Sequence, residues 1–198
     1  MTTKVGIWDR FEGRITNDNA YLNPYGDVTL NVTYRRPDGS VIECWGFYDG
    51  DRLWRFRFMP DQLGLWTYDA EFSDGGAPGV SGSFECVPSD LPGMLHKDEI
   101  NPAWFGYKGG GHVLVRSFHV GDGYFSSNLS DADRTAFLDW AQNQGYNMLS
   151  IASHYINRQT PGRGLGWDTP KLWPLDAKEY QRMERLLDRV GLKLERLH

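Results

Sequence analysis

Hydrophobic and polar side chains alternate with a period of two through the first half of the chain. The alternation is clearest at residues 28–34, 54–58 and 66–72, and it is typical of strands that bury one face. Turn-forming pairs such as Asn23-Pro24 and Asp49-Gly50 separate the runs. The pattern predicts an antiparallel β-sandwich of immunoglobulin-like type with six or seven strands, near residues 5–11, 28–35, 41–48, 52–59, 64–72 and 80–87.

The pattern changes in the second half, where strand-like runs alternate with helical segments. Residues 112–119 and 147–155 are predicted to be strands, and a helix is predicted to follow each of them. Trp104 to Tyr107 and a glycine-rich turn suggest a hairpin just before the first of these strands. The order strand, helix, strand, helix predicts right-handed crossovers and a parallel sheet.

Both predicted helices carry terminal signals. Ser130 and Asp133 fit a capping box at the start of the first helix, and Gly145 fits the left-handed position after its end. Asp176 and Glu179 fit the same roles at the start of the second helix, which is expected to end at Gly191. The predicted apolar stripes are Phe137, Leu138 and Ala141 in the first helix and Tyr180, Met183, Leu187 and Val190 in the second.

Two strand–helix units are the opening of a (β/α)₈ barrel, which needs about 250 residues when complete. We therefore expect an incomplete barrel segment and three regions: a β-sandwich at 1–90, a connector with a hairpin at 91–110, and the first two units of a truncated barrel at 111–198.

Charge and composition exclude several classes of partner. The chain has a net charge of −5 and no basic cluster, which argues against nucleic acid. No apolar stretch approaches a membrane span. Because the first residues lack an apolar signal region, a cytoplasmic location is expected. The aromatic content of 14% suits core packing and also suits a saccharide-binding surface.

The sequence gives no indication of a cofactor or metal. Cys44 and Cys86 lie in predicted strands, where we expect small buried thiols and no disulfide in a reducing compartment. No Cys-x-x-Cys pattern indicates zinc. The glycine-rich segments 108–111 and 162–166 lack the residues of a phosphate loop or dinucleotide fingerprint. Arg55 and Arg57 face outward in a predicted strand and could bind an acidic partner, although a solubilising role is favoured.

Candidate site residues follow the two predicted barrel strands, because barrel chemistry lies at the carboxyl ends of the strands. These residues offer hydrogen bonds for sugar hydroxyls and aromatic faces for sugar rings: His119, Asp122, His154, Tyr155, Arg158, Trp167, Asp168 and Trp173. For the two histidines a site role and a structural role are equally supported. Packing of the long loop is favoured for Tyr155, Trp167 and Trp173, and the spacing of the histidines and aspartates does not predict a metal site.

Longer motifs carry a family resemblance. They are Asn23 to Val28, Gly46 to Gly50, Trp54 to Pro60, Gly64 to Tyr68, Ser117 to Asp122, Gln144 to Tyr155, and Gly166 to Pro170. With these motifs the chain resembles a bacterial family of glycoside-hydrolase-like proteins. Its members carry an N-terminal β-sandwich, once of unknown function, before a cellulase- or apiosidase-like (β/α)₈ barrel. The resemblance implies that the parent protein hydrolyses polysaccharides or glycosides.

The resemblance assigns no catalytic residue here. Glycosidases of this architecture place two carboxylates on later strands, and neither Asp122 nor Asp168 can be matched to that pair. The leading hypothesis is an N-terminal portion without hydrolytic activity of its own. A second is a carbohydrate-binding module, or a module that self-associates through an open barrel edge. The least favoured is a complete small enzyme that uses His119, Asp122, His154 and Asp168.

Overall fold

The computed structural model describes residues 2–121, 123–125, 129–151 and 177–194. The chain divides into two compact units, Met1–His112 and Val113–His198, and each is described by itself. Most of the regular structure is β-sheet, distributed over several sheets, with helices in the second unit. Neither helix in the described ranges has the length and apolar character needed to cross a membrane.

Eight strands form two sheets in the first unit. They are β1 (Thr3–Gly6), β2 (Phe11–Thr16), β3 (Leu30–Arg35), β4 (Val41–Trp45), β5 (Phe47–Gly50), β6 (Leu53–Phe58), β7 (Gly64–Phe72) and β8 (Val80–Val87). One sheet has the order β1-β8-β7-β3-β4, and the other has the order β2-β6-β5. The alternating side chains of both sheets meet in one core, so the period-two pattern of the sequence correctly located most of these strands. The largest fully buried members of this core are Trp66, Tyr34, Phe56, Phe84, Leu30 and Val32.

The beginning of the chain differs from the prediction of one strand at 5–11. β1 ends at Gly6, and the backbone turns at Trp8, whose φ is +67°. A second strand, β2, then follows and was not predicted, because its pattern is interrupted by Gly13 and Arg14. β1 also pairs parallel with β8, so the expectation of a wholly antiparallel arrangement is wrong at this pair.

The run predicted as one strand at 41–48 is two strands in different sheets. The break falls at Gly46, whose N–H donates to Leu30 O at 2.8 Å. A Cβ atom at Gly46 would lie 2.5 Å from Leu30 Cδ2 and 2.7 Å from Arg55 O. Only glycine lets the chain pass so close to both sheets, and this is how β4 and β5 come to belong to different ones.

The thiols of Cys44 and Cys86 both belong to this core region. Cys86 is buried, and Cys44 is half-buried against the same cluster. Burial raises the pKa of both thiols, so they behave as small hydrophobic side chains, as the sequence predicted.

The connector forms a small sheet of its own, made by β9 (Leu95–Lys97), β10 (Phe105–Tyr107) and β11 (His112–Val113) in the order β11-β10-β9. The Trp8 ring lies beside two connector glycines: a Cβ at Gly93 would be 3.0 Å from the indole. Asp98 follows β9 and is buried; its carboxylate accepts the N–H groups of Ile100 and Asn101 and pairs with His112 Nδ1.

The second unit contains β12 (Ser117–Gly121), α1 (Asp131–Asn143), β13 (Met148–Ile151) and α2 (Ala177–Leu194). β12 and β13 pair in parallel, as the sequence predicted. The predicted strand at 112–119 is wrong as a single element, because residues 114–116 separate β11 from β12. The part of the second predicted strand beyond residue 151 lies outside the described residues.

The predicted ends of α1 are confirmed. Ser130 is the N-cap: its hydroxyl accepts a hydrogen bond from the Asp133 N–H, and the Asp133 carboxylate accepts one from the Ser130 N–H. Gly145 has a φ of +78°, a conformation that a glycine adopts without strain. Of the predicted stripe, Leu138 and Ala141 are buried and Phe137 packs beside them.

Helix α2 departs from the prediction in two ways. It continues through Gly191 to Leu194, because a single glycine inside a helix costs only about 1 kcal/mol. Leu186 is buried, whereas Leu187, predicted to face the core, is 41% exposed. Tyr180 and Met183 pack against the core of this unit as expected. Asp176 lies outside the described residues, as do the side chains of Glu179 and Val190.

Candidate functional site

Strand alternation gives the β12–β13 sheet one apolar face and one polar face. On the apolar face, the Phe118 ring lies 5.6 Å from the Trp140 ring and 5.9 Å from the Phe137 ring, both on α1. Leu149 packs against the buried cluster that includes Leu138. The helices therefore cover this face of the sheet.

The opposite face is exposed and carries the candidate site. Ser117, His119, Met148 and Ser150 are the side chains that point there, and all four are exposed. His119 and Ser150 are direct partners across the two strands. His119 Nδ1 lies 3.2 Å from Ser150 Oγ, so the imidazole and the hydroxyl share one hydrogen bond.

An asparagine fixes the entrance to these strands. Asn147 Oδ1 accepts the Arg116 N–H at 2.9 Å, and its Nδ2 donates to Leu114 O at 3.0 Å. One side chain just before β13 therefore binds the backbone that leads into β12. This contact sets the alignment of the two strands and places Ser150 beside His119.

The pair offers hydrogen bonds of both kinds to a ligand. A serine hydroxyl can donate one bond and accept two, and a neutral imidazole has one donor and one acceptor nitrogen. A nucleophilic serine would also need a third group that orients the histidine. Ser150 is the only hydrogen-bonding partner found for the His119 ring among the described residues. The described pair can therefore exchange hydrogen bonds with a ligand.

The acidic side chains described in this unit all lie on helices, away from the polar face. They are Asp131, Asp133, Asp139, Glu184 and Asp188. Asp131 has a structural role: it binds Arg189 of α2 at 2.8 Å and Arg134 of its own helix at 3.1 Å. The hydrogen bond from Arg189 is the main reason that the pKa of Asp131 is lowered.

The structure describes one of the eight predicted site residues, His119. The other seven lie outside the described residues and remain predictions: Asp122, His154, Tyr155, Arg158, Trp167, Asp168 and Trp173. Ser150 was not among the predicted residues, although alternation with the apolar Leu149 could have identified it. Over the described ranges, no group of three histidine, cysteine, aspartate or glutamate side chains is arranged to hold a metal.

The outward-facing arginines of β6 are parts of a charged network. Arg55 pairs with both Glu12 of β2 and the buried Asp49 of β5. Arg57 Nε donates to Glu12 at 2.7 Å. These side chains join the three strands of their sheet, a structural role beyond simple solubility.

Comparison with known sequences gives one family match. A family described only as a domain of unknown function, DUF5060, matches residues 4–73. This range lies within the first unit. No curated protein matches the chain.

Comparison with solved structures places the fold. The chain is similar to a candidate glycoside hydrolase from Bacteroides vulgatus ATCC 8482, with 24% sequence identity and a TM-score of 0.78. The similarity covers 98% of this chain and 40% of that protein, so the chain spans less than half of its neighbour's length. The fold is therefore glycoside-hydrolase-like.

A second solved structure is a family 39 glycoside hydrolase from the gut symbiont Bacteroides cellulosilyticus WH2. Its identity is 12%, and the match covers 98% of this chain and 41% of that protein. The TM-score is 0.30, which is too low to indicate a shared fold.

Proposed function

We propose that this chain forms the N-terminal part of a glycoside hydrolase architecture: an immunoglobulin-like β-sandwich followed by the opening strands of a (β/α)₈ barrel. The observation that carries the proposal is the fold match over 98% of the chain. In this proposal His119 and Ser150 contribute to a saccharide site. The seven predicted site residues that lie outside the described ranges belong to the same site.

The organisation of the second unit supports the barrel assignment. In a (β/α)₈ barrel, parallel strands turn one face to the surrounding helices and the other to the barrel interior. Here Phe118 and Leu149 pack toward helices, and His119 and Ser150 occupy the other face. Ligands in such barrels bind at the carboxyl ends of the strands, and His119 lies two residues before the end of β12.

We propose that the chain binds saccharides and does not hydrolyse them by itself. Glycoside hydrolysis requires two carboxyl groups on either side of the scissile bond. The described acidic groups of the second unit lie on helices, and Asp131 is engaged in ion pairs. The catalytic pair would then belong to other parts of the parent enzyme.

Two measurements on the purified chain test this proposal. A panel of aryl glycosides is expected to give no turnover above the uncatalysed rate. In NMR titrations with methyl glycosides and disaccharides, the imidazole resonances of His119 are expected to shift, and Ser150→Ala is expected to weaken binding. Aryl-glycoside turnover by the pure chain would contradict the non-hydrolytic assignment. Saccharide binding that leaves the His119 resonances unchanged would contradict the site.

A further inference from the structure

An exposed tryptophan lies on the outer face of the five-stranded sheet. Trp45 is 75% exposed and occupies the last position of the edge strand β4. Its partner in β3 is Asn31, whose partner in β7 is Glu71. Neighbouring strands lie about 4.8 Å apart, so the backbone positions of Trp45 and Glu71 are about 10 Å apart, a span comparable to a disaccharide.

The next row of the same face is also polar. It contains Glu43, Thr33, Asp69 and Ser81, one residue from each of four adjacent strands. We call the two rows together the Trp45 face: Trp45, Asn31, Glu71, Glu43, Thr33, Asp69 and Ser81. It combines one large aromatic surface with a flat group of amide, carboxylate and hydroxyl groups.

Most polar groups of the Trp45 face have no side-chain partner in the described part of the chain. Ser81 donates to Asp69, whereas no such bond is found for Asn31, Glu43 or Glu71. Carboxylates only accept hydrogen bonds. A ligand that matches this face must therefore donate several hydrogen bonds and offer an apolar surface to the indole.

The backbone at Trp45 is held by its neighbours. The next residue is Gly46, which passes between Leu30 and the Arg55 carbonyl with no room for a side chain. The pairing of Trp45 with Asn31 of β3 fixes its backbone position in the sheet.

We propose that the Trp45 face binds an uncharged saccharide chain. A sugar ring stacks on the Trp45 indole, and neighbouring hydroxyls donate to Glu71 and Glu43 and exchange hydrogen bonds with Asn31. This site belongs to the first unit, whereas the His119–Ser150 pair belongs to the second. The choice of a saccharide rests on the proposed glycoside hydrolase architecture, for which it supplies a second binding surface.

The charge of the face argues against an acidic saccharide. Glu43, Asp69 and Glu71 form a negative group, and like charges would repel uronic acids. A basic peptide would satisfy the carboxylates, but its affinity would depend strongly on salt. Binding of a neutral sugar would be nearly independent of salt, so ionic strength distinguishes these two ligands.

The test is an NMR titration of the full chain labelled with ¹⁵N, using cellohexaose, xylohexaose and mannohexaose as neutral probes. Trigalacturonate and a lysine tetrapeptide serve as acidic and basic probes. The indole N–H signal of Trp45 is assigned by its absence in Trp45→Ala. We expect at least one neutral hexaose to shift this signal, with an affinity that is unchanged between 0.05 and 0.5 M salt.

Matched variants locate the binding surface. Trp45→Ala is expected to lower the affinity at least about tenfold, as for an aromatic residue that dominates an interface. Asn31→Ala and Glu71→Gln should each lower it severalfold. Trp104→Ala removes an indole of the same unit that is 50% exposed but lies in the connector, and it should leave the affinity unchanged.

Several results would overturn the inference. One is that no neutral probe shifts the Trp45 signal. Another is that Trp104→Ala lowers the affinity as much as Trp45→Ala does. A third is that only the lysine peptide binds, with an affinity that depends strongly on salt. The proposed function has a separate readout. Shifts at His119 without shifts at Trp45 would overturn this inference and leave the proposed function standing. Shifts at Trp45 without shifts at His119 would contradict the proposed site at His119 and leave this inference standing.

Discussion

The guanidinium carbon of Arg57 lies 4.9 Å from the centroid of the Phe47 ring. Arg57 belongs to β6 and Phe47 to the edge strand β5, so this cation–π contact joins neighbouring strands. The same arginine donates to Glu12 of β2. A single side chain on the central strand therefore contacts both outer strands of the three-stranded sheet.

Glu12→Gln is expected to destabilise the first unit by about 1 kcal/mol at pH 7. The effect is small because solvent screens this partly exposed network: Glu12 and Arg55 are about 30% exposed and Arg57 is 24% exposed. Burial raises the pKa of Glu12, but the hydrogen bonds from Arg57 and Arg55 outweigh it and lower the pKa overall. Its stabilisation is thus present above the ordinary pKa and lost as the pH falls through the folded value.

Urea unfolding at pH 7 and near pH 3 checks this prediction. The difference in free energy of unfolding between wild type and Glu12→Gln should narrow at the lower pH. The control is Glu43→Gln, because Glu43 is exposed and has no described side-chain partner. Its free energy of unfolding should stay within about 0.5 kcal/mol of the wild-type value at both pH values. A difference that is constant with pH would argue against the assigned role of the carboxylate.

Tyr34→Phe is expected to leave stability unchanged or to raise it by up to about 1 kcal/mol. The Tyr34 hydroxyl is buried and has no hydrogen-bond partner among the described residues, and desolvation raises its pKa. Removing an unsatisfied buried hydroxyl relieves its desolvation cost, and the ring remains in the core.

The matched control is Tyr21→Phe. The Tyr21 hydroxyl donates to Asp74 at 2.7 Å and accepts from Asn17 at 2.9 Å. Its loss is expected to cost about 1 kcal/mol in urea unfolding. If Tyr34→Phe proved as costly as this control, the Tyr34 hydroxyl must have a partner.

Replacing the turn between β5 and β6 is expected to stabilise the protein. Asp51 and Arg52 have φ values of +49° and +63°, the left-handed conformation that a two-residue hairpin turn with mirror-image geometry needs. Asn-Gly suits this turn better, so Asp51→Asn with Arg52→Gly should add roughly 0.5–1 kcal/mol.

Thermal unfolding of this double variant measures the gain. The exposed ion pair between Arg52 and Asp18 is lost, at a cost expected to be smaller than the relief of strain. Gly50→Ala in the same hairpin, at a φ of +90°, should lower the melting temperature. A lower melting temperature for the double variant as well would contradict the strain assigned to the turn.

Asp98→Asn is expected to destabilise the connector in a pH-dependent way. The pKa of Asp98 is lowered, first by the N–H of Asn101 and further by the bond to His112. The stabilisation is therefore complete above the ordinary carboxyl pKa and is lost as the pH falls through the lowered pKa of the folded protein. Hydrogen exchange of the Ile100 and Asn101 amides should be faster in the variant at pH 6, and the difference should shrink toward pH 3.

The sequence predicted the elements whose signals are local. Alternation identified β3, β6, β7 and β8, and the Ser130 capping box fixed the start of α1, because burial of one face and satisfaction of backbone donors act over a few residues. The parallel pairing of β12 and β13 followed from the helix between them.

The sequence did not reveal features that depend on distant partners. The switch between sheets at Gly46 is set by Leu30 and Arg55, which lie far away along the chain. β2 was missed because Gly13 faces the Phe56 ring across the sheet and Arg14 follows it. The pairing of Ser150 with His119 likewise depends on register, which single-strand patterns do not specify.

The parallel pairing of β1 with β8 has a mechanical consequence. β1 and β8 are the first and last strands of the two main sheets, and their register runs from Thr3 with Phe84 to Gly6 with Val87. Tension applied between the start of the chain and the residues after Val87 would pull the two strands in opposite directions along their axes. Their hydrogen bonds would then carry the force together in shear, so this unit should resist stretching better than one whose terminal strands separate bond by bond.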